Sequence, residues 1–251
     1  MNKIQIPNIL WTFWHDPTNM PEIVQTCIQS WKRINPTYTV QILNMKDAEA
    51  MGITKLRHAT NPTRISDFIR IHVLETYGGI WMDASMYCGK SLQWIHDEFN
   101  KDASSEAVLF YLGDYTSLPQ SPVVENWFIA APPYSPFIRE WKEEFYKIND
   151  FTYVKDYAHT LKHIDTQGIY DPDYLAMHVA AQVVLQTSHT HTLALLKAEE
   201  GPYAYLANNG WDFEQAKKNV FENGTFKQYK LIKFRAGERK KMTQEIVHML
   251  Q

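Results

Sequence analysis

The sequence is poor in cysteine and has no long hydrophobic run. Its 251 residues include two cysteines, Cys27 and Cys88, which is too few for a disulfide framework and does not match a zinc-binding spacing. We therefore expect both to be small buried hydrophobic residues in a reducing compartment, and the protein to be cytoplasmic. No segment approaches the roughly 18 consecutive apolar residues that a membrane span needs, so no transmembrane segment is predicted.

An excess of charge of either sign is also missing. The formal net charge of -3 at pH 7 gives no reason to expect nucleic acid or an anionic membrane as a partner. The opening residues, MNKIQIPNILWTFWHD, contain a short apolar run without a small-residue cleavage site, so we expect a first β-strand rather than a signal peptide. Internal repeats and obvious linkers are lacking too, which favours one domain over residues 1–251.

The chain does contain alternating strand and helix patterns. Residues 4–13 and 38–43 are predicted strands on either side of a helix at 21–33, and this order favours a parallel sheet. Further strands are predicted at residues 80–82, 108–112 and 126–131. The remaining predicted helices cover residues 62–77, 137–147 and 174–186. This arrangement indicates the α/β class, with helices flanking a sheet.

The segment 62–88, PTRISDFIRIHVLETYGGIWMDASMYC, is the most informative part of the chain. Its helix ends at Gly78-Gly79, and the buried strand that follows delivers Asp83 to an open end. Asp67 and Arg70 are three residues apart on the helix, which a functionally idle ion pair would also explain. However, a carboxylate that closes an apolar run costs free energy without a partner, and ligands of open α/β sheets gather at such strand ends. We therefore expect a site for a hydroxyl-rich ligand there.

These residues resemble a known signature. The SD pair at 66–67, Arg70, the YGGIW run at 77–81 and the DAS triplet at 83–85 are similar to the pattern of glycosyltransferases with a DXD-type sugar-binding region. Among these glycosyltransferases, the residues resemble those of the capsular-polysaccharide-synthesis family most. IPNILWTFW, VVENWFIAAPPYSPFI and LIKFRAGERK look like further family landmarks. The resemblance implies a single-domain glycosyltransferase-A fold, a Rossmann-like mixed sheet flanked by helices. Its nucleotide-sugar-binding half would cover about residues 1–115, and its acceptor-side half with the C-terminal tail about 116–251.

The resemblance also implies an activity and residues that carry it. Such enzymes transfer a hexosyl or pentosyl group from a nucleotide-diphosphate donor to a glycan or polysaccharide acceptor, here with retention of the anomeric configuration. The residues implied at the nucleotide base and ribose are Trp11, Thr12 and Trp14. Those implied at the donor sugar and the reacting groups are Asp67, Arg70 and Asp83.

The second position of the DXD motif departs from the family pattern. It commonly carries a carboxylate that binds Mn²⁺ or Mg²⁺, but here it is Ser85, and a hydroxyl is a weak ligand for a hard cation. Either Asp83 binds the metal with help from elsewhere, or cationic side chains of the basic tail hold the diphosphate instead. The tail residues considered for that task are Lys233, Arg235 and Arg239, although a solvated basic face is an equal alternative. A sugar- or nucleotide-binding module that has lost catalysis at Ser85 is the competing interpretation.

Several other residues have both a functional and a structural interpretation. Glu125 and Asn126 precede a predicted strand and resemble the family's acceptor-side landmark. The tryptophans considered as sugar-stacking platforms, with core packing as the default, are Trp127 and Trp211. The histidines considered are His15 beside Asp16, His178 on an apolar helix face, and His189 with His191. For the last pair a surface loop is favoured over a metal site, because no third ligand is evident.

Overall fold

A computed structural model describes residues 3–188 and 190–251, and His189 lies outside them. The strands in this part of the chain are β1 (Ile9–Phe13), β2 (Thr39–Leu43), β3 (Gly79–Met82), β4 (Met86–Cys88), β5 (Ala107–Tyr111), β6 (Val124–Ala131), β7 (Leu193–Lys197) and β8 (Leu231–Lys233). The α-helices are α1 (Glu22–Ile34), α2 (Met45–Ala50), α3 (Pro62–Tyr77), α4 (Gln93–Asn100), α5 (Pro136–Tyr146), α6 (Val154–Thr160), α7 (Ala176–Thr187), α8 (Ala204–Ala207), α9 (Phe213–Ala216), α10 (Ala236–Lys241) and α11 (Gln244–Leu250).

Six of the strands form one mixed sheet in the order β2-β1-β3-β6-β5-β7. β1 is parallel to both β2 and β3, as the strand–helix–strand pattern predicted, whereas β6 runs antiparallel to β3 and β5. β4 and β8 pair antiparallel in a second, two-stranded sheet. The predicted class, a mixed α/β sheet flanked by helices, is confirmed. The large sheet takes strands from both sides of the predicted division near residue 115, and that division stays a prediction.

The sheet separates two hydrophobic cores. On one face, alternate strand residues such as Leu10 and Ile80 pack with α1, α4, α8, α9, α11 and the small sheet. On the other face, residues such as Trp81 and Leu109 pack with α2, α3, α5, α6 and α7. Because both faces are covered, inner strands such as β3 and β5 are apolar throughout, whereas the edge strand β2 alternates with the exposed polar residues Thr39 and Gln41.

Helix α3 has the predicted bounds because both ends carry strong local signals. The Asn61 side chain accepts a hydrogen bond of 3.0 Å from the Arg64 backbone N–H, and Pro62 occupies the first turn. At the other end Gly78 has φ +63°, a left-handed conformation that is unstrained only for glycine. The capped helix therefore ends where β3 must begin.

Strand β1 is shorter than predicted. It begins at Ile9 rather than at residue 4 because Pro7 has no N–H to donate to a ladder, and its carbonyl accepts a 2.8 Å hydrogen bond from the Ile9 N–H in a tight turn. The short strands β4, β7 and β8 were not predicted. Both cysteines are buried and unpaired, as expected, and burial raises the pKa of the Cys88 thiol to about 11. No helix within the described residues is long and apolar enough to cross a membrane.

Candidate active site

Asp83 lies at the carboxyl end of β3, where its backbone N–H still donates to the Trp127 carbonyl at 2.9 Å. Its side chain is 27% exposed and is held from three directions. Oδ1 accepts hydrogen bonds from Arg70 Nη2 at 3.1 Å and from Trp81 Nε1 at 3.2 Å. Oδ2 accepts a hydrogen bond from Lys233 Nζ at 2.6 Å. The carboxylate is therefore ion-paired to two cations but still reaches solvent.

Arg70 connects helix α3 to this strand end. Its Nη1 lies 3.2 Å from Asp67 Oδ1, one helical turn away, while Nη2 contacts Asp83. The guanidinium carbon lies 5.1 Å from the centre of the Trp81 ring, which adds a cation–π contact. The structure thus brings together the three charged residues that the sequence pattern singled out.

Asp67 is buried and surrounded by protein donors. Besides Arg70, its carboxylate contacts Arg64 Nη1 at 3.5 Å and accepts a hydrogen bond of 3.1 Å from Asn126 Nδ2. Burial raises the pKa of Asp67, and the neighbouring arginines offset this only in part. The oxygens of Asp67 are occupied by protein donors. This arrangement suits a residue that orients neighbouring side chains.

The pKa of the Asp83 carboxyl shifts in the opposite direction. Burial alone would raise its pKa, but the charges of Lys233 and Arg70 outweigh burial, so the pKa of Asp83 is lowered. Burial also lowers the pKa of Lys233, and the ion pair with Asp83 opposes that change. Because the pKa of Asp83 lies below its ordinary value, this carboxylate is ionised at neutral pH and faces both cationic side chains.

Lys233 reaches Asp83 through the pairing of the two short strands. β8 lies antiparallel to β4 with Lys233 opposite Met86, and the Phe234 N–H donates to the Ser85 carbonyl at 3.0 Å. This register places the Lys233 Nζ 3.1 Å from the Ser85 Oγ as well. Lys233 is buried rather than part of a solvated basic face, so that alternative for the tail is wrong at this residue.

The residues of the DXD-like motif do not fit a divalent cation. The two oxygens that would bind it, Asp83 Oδ2 and Ser85 Oγ, both contact the Lys233 ammonium, so a metal there would meet a fixed positive charge. The described residues 3–188 and 190–251 also contain no group of three or more His, Cys, Asp or Glu side chains arranged to hold a metal ion. The cluster has three cations against two carboxylates, which suits an anionic ligand.

The predicted nucleotide contacts lie at different ends of the sheet. Trp11 donates from Nε1 to the Gly78 carbonyl at 2.8 Å, at the beginning of β3 and therefore opposite to Asp83. Trp14 follows β1 at the same edge as Asp83, because β1 and β3 are parallel. Within the described residues neither Thr12 Oγ1 nor Trp14 Nε1 has a hydrogen-bond partner, although both are buried. Trp14 is thus better placed than Trp11 to meet a ligand at this edge.

Arg239 lies in the last turn of α10, near Lys233 but outside the ion-paired cluster. Its Nη1 is 3.4 Å from the Phe234 carbonyl, and its charge contributes to lowering the pKa of Lys233. Arg235 instead pairs with Glu238 and lies over the Trp211 ring at 5.7 Å. Among the three tail cations, only Lys233 contacts Asp83.

The two residues predicted on the acceptor side, Glu125 and Asn126, lie on β6. Asn126 reaches Asp67, as described above, and Glu125 is buried with its Oε2 3.4 Å from His178 Nε2. The other ring nitrogen of His178 is buried without a hydrogen-bond partner among residues 3–188 and 190–251. His178 is therefore buried, with a partner at one of its two ring nitrogens.

The two tryptophans considered as platforms have different surroundings. Trp127 is buried and stacks on Phe110 with ring centres 5.5 Å apart, in agreement with core packing. Trp211 is 37% exposed and has φ +62°, so the expectation that it packs in the core is wrong. A non-glycine residue in this left-handed conformation costs about 1–2 kcal/mol.

The hydrogen bonds of the remaining described candidates go to residues outside the cluster. The Asp16 carboxylate accepts hydrogen bonds from the side chains of Thr18 and Asn19, and the His15 ring lies beside that of Trp14. His191 lies between Glu106 at 2.9 Å and Glu140 at 3.1 Å.

Sequence reasoning missed two members of the site, Arg64 and Trp81. Arg64 lies three residues before Asp67 on the same helix, and that spacing could have identified it. Trp81 lies two residues before Asp83 on the strand, so both side chains point to the same face, but its apolar neighbours indicated only a core residue.

Comparison with known proteins gives a consistent set of relatives. A family model described as capsular polysaccharide synthesis protein matches residues 1–200. The O-glycosyltransferase braB of Annulohypoxylon truncatum is 32% identical over 159 residues, which cover 56% of this chain and 37% of that protein. The glycosyltransferase afumC of Aspergillus fumigatus is 28% identical over 155 residues, covering 54% of this chain and 39% of that protein. The chain therefore matches less than half the length of these relatives.

Two solved structures are also similar over nearly the whole chain. A glycosyltransferase involved in the glycosylation of the major capsid of PBCV-1 has a TM-score of 0.47 and 11% identity, covering 98% of this chain and 100% of that one. The PaToxG glycosyltransferase has a TM-score of 0.43 and 14% identity, covering 98% of this chain and 83% of that one.

Proposed function

The chain belongs to the capsular polysaccharide synthesis protein family, and we propose that it is a glycosyltransferase. It transfers a sugar from a nucleotide-diphosphate donor to a hydroxyl oxygen of a glycan or polysaccharide acceptor, with retention of configuration. The observation that carries this proposal is the position of Asp83, held between Arg70 and Lys233 at the carboxyl end of β3. The name of one relative, the O-glycosyltransferase braB, agrees with an oxygen acceptor.

Asp83 is the residue that contacts the donor sugar in this proposal. A carboxylate offers about four lone-pair positions, and Asp83 uses three of them for Arg70, Trp81 and Lys233. The remaining position, on a partly exposed side chain, accepts a hydrogen bond from a sugar hydroxyl. Asp67 is enclosed by protein donors and acts as a positioning residue that orients Arg70.

The cationic side chains stabilise the leaving group. Transfer breaks the bond between the anomeric carbon and the diphosphate oxygen, and negative charge develops on the departing diphosphate. Lys233 and Arg70 provide positive charge already in place, which is the form of electrostatic stabilisation that costs least reorganisation. The acceptor oxygen forms the new bond on the same face of the sugar, and its proton passes to the leaving phosphate oxygen, so no covalent enzyme intermediate is required.

A donor screen tests the proposal. The protein is incubated with UDP-, GDP- and dTDP-linked sugars, with and without oligosaccharide acceptors, and released nucleoside diphosphate is measured. We expect release from at least one donor, a product with the donor's anomeric configuration by NMR, and loss of release in folded Asp83→Ala, whose Tm should also fall because Arg70 and Lys233 lose their shared partner. An active Asp83→Ala variant would contradict the role of this carboxylate.

The serine in the motif favours a second candidate, a sugar- or nucleotide-binding module without turnover. Ser85 lacks the second carboxylate of the DXD pattern, and its hydroxyl is already bonded to Lys233. The same screen separates the two functions. Tight binding of a sugar nucleotide without release of nucleoside diphosphate from any donor would identify the module.

A further inference from the structure

We propose that the Lys233 ammonium takes the place of the divalent cation at the DXD-like motif, so that the diphosphate is bound without a metal. This inference rests on the proposed function for its ligand, but its first test does not require turnover. Nζ lies 2.6 Å from Asp83 Oδ2 and 3.1 Å from Ser85 Oγ, the two side-chain oxygens of the motif that a metal would share.

The ammonium is held there by its backbone as well as by its ion pair. The Lys233 N–H donates to the Pro202 carbonyl at 3.0 Å, and its own carbonyl accepts a 3.0 Å hydrogen bond from the Tyr205 hydroxyl. β8 pairing fixes it further opposite Met86. Lys233 is 6% exposed, so its charge is not on a side chain free to move away when a ligand arrives.

The donor inventory of the ammonium leaves room for a ligand. A lysine ammonium has three N–H groups and no acceptor. Two are used by Asp83 and Ser85, and within the described residues no further acceptor is bonded to Nζ. The third N–H group is available to donate a hydrogen bond to a phosphate oxygen, which a bound metal would otherwise coordinate.

Serine at the second position is consistent with this exchange. A carboxylate at residue 85 would serve a hard cation, whereas a neutral hydroxyl accepts a hydrogen bond from an ammonium without adding a second negative charge beside Asp83. With Arg64 and Arg70 on the opposite side, the cluster is positive overall before any metal binds.

The first test measures Mn²⁺ binding by EPR on the intact chain without nucleotide. We expect no saturable binding below about 1 mM for the wild type, because Lys233 repels the ion. The double variant Lys233→Met with Ser85→Asp should bind one Mn²⁺ at least about tenfold more tightly, since it restores two oxygen ligands without the ammonium. Lys240→Met, an exposed lysine of the same tail, should behave as the wild type.

The second test measures binding of UDP and GDP by calorimetry, in EDTA and in MnCl₂. We expect the wild-type Kd to be equal within about twofold in the two buffers, and Lys233→Met to weaken binding in EDTA by about tenfold or more. Lys240→Met should leave the Kd unchanged.

The outcomes separate this inference from the proposed function. Saturable Mn²⁺ binding to the wild type that Asp83→Asn removes, or nucleotide binding that EDTA abolishes, would overturn the role of Lys233. If neither UDP nor GDP binds in any buffer, the proposed function loses its support, while the Mn²⁺ titration still decides the inference. Should Lys233→Met not fold, the wild-type titrations decide it alone.

Discussion

Arg70 is the residue on which the candidate site depends most, because one guanidinium joins carboxylates from two elements. Its two Nη atoms contact Asp67 and Asp83 at 3.2 and 3.1 Å, and this fork cannot be reproduced by a lysine ammonium. We expect Arg70→Lys to lower kcat/KM by about 10²-fold and the free energy of unfolding by roughly 1–3 kcal/mol, since a buried carboxylate loses a partner. Steady-state kinetics and urea unfolding check both values.

The matched control for that exchange is Arg139→Lys on the exposed side of α5. It should change kcat/KM by less than about twofold and stability by less than about 0.5 kcal/mol. Equal rates for Arg70→Lys and the wild type would show that the fork is not needed.

Asp83 should give the protein a stability contribution that depends on pH. Its folded pKa is lowered, because the charges of Lys233 and Arg70 outweigh burial. A lowered pKa means that the contribution is present above the unfolded value, about 3.9, and is lost as the pH falls through the folded pKa. We expect the stability difference between wild type and Asp83→Asn to be constant near neutrality and to shrink below about pH 4.

Urea unfolding between pH 2.5 and 7 measures this difference. The raised pKa of Asp67 changes stability with pH in the opposite sense. Because Asp67 is present in both proteins, its contribution to the difference largely cancels. Asp114→Asn, at an exposed position, supplies the comparison for removing a carboxylate that has no cationic partner in the site. The ion-pair account would be contradicted if the difference in free energy of unfolding between the wild type and Asp83→Asn stayed constant down to pH 2.5.

At the scale of elements, the sequence predicted what local signals determine. Asn61, Pro62 and Gly78 fix both ends of α3, so the bounds of the helix could be predicted to the residue and the strand after it to within one residue. The strands β4 and β8 could not be predicted, because each has three residues and is defined by pairing with a partner far along the chain. Lys233 was therefore one of several tail cations on sequence grounds, and only the β4–β8 register gives it Asp83 as a partner.

The diglycine between α3 and β3 gives a prediction at the same scale. Gly78 has φ +63°, and a Cβ there would lie 2.4 Å from the Pro133 backbone nitrogen. Gly224 has φ +70° but nothing within 4 Å of a Cβ. We expect Gly224→Ala to cost about 1–2 kcal/mol for the conformation alone, and Gly78→Ala to cost clearly more, on the order of 3–5 kcal/mol, because backbone must also move.

Thermal and urea unfolding of the two glycine variants check this difference. The two positions share a positive φ but differ in ψ, which is -164° at Gly78 and 10° at Gly224, so the larger loss expected for Gly78→Ala includes a glycine-only conformation as well as the steric contact. Equal destabilisation by the two variants would mean that the turn adapts without cost to the rest of the fold.

At the scale of the whole molecule, the site is assembled from widely separated parts of the chain. Arg70 and Asp83 come from the first third, Asn126 from one of the two central strands of the sheet, and Lys233 from a position 150 residues after Asp83. The family pattern indicated the first two, because their spacing is local. The last contact depends on how the C-terminal segment returns across one face of the sheet, which hydrophobic periodicity does not encode.

Helix α11 holds the returning C-terminal segment in place by packing. Weakening that packing should therefore lower the stability of the fold more than it lowers kcat/KM. Leu250 on α11 is 1% exposed in the core shared with α1, whereas its neighbour Met249 is 37% exposed. We expect Leu250→Ala to lower the free energy of unfolding by about 2–4 kcal/mol through cavity formation, and Met249→Ala by less than about 0.5 kcal/mol. Within residues 3–188 and 190–251, α11 makes no hydrogen bond or ion pair with Asp83 or Lys233. We therefore expect kcat/KM of both variants at 25 °C to stay within about threefold of the wild-type value. A loss of about 1.4 kcal/mol in transition-state stabilisation would instead lower it about tenfold. Urea unfolding and donor turnover measured on the same preparations test this separation. A fall in kcat/KM for Leu250→Ala that matches its loss of stability would instead mean that the C-terminal helix sets the position of the Lys233 ammonium.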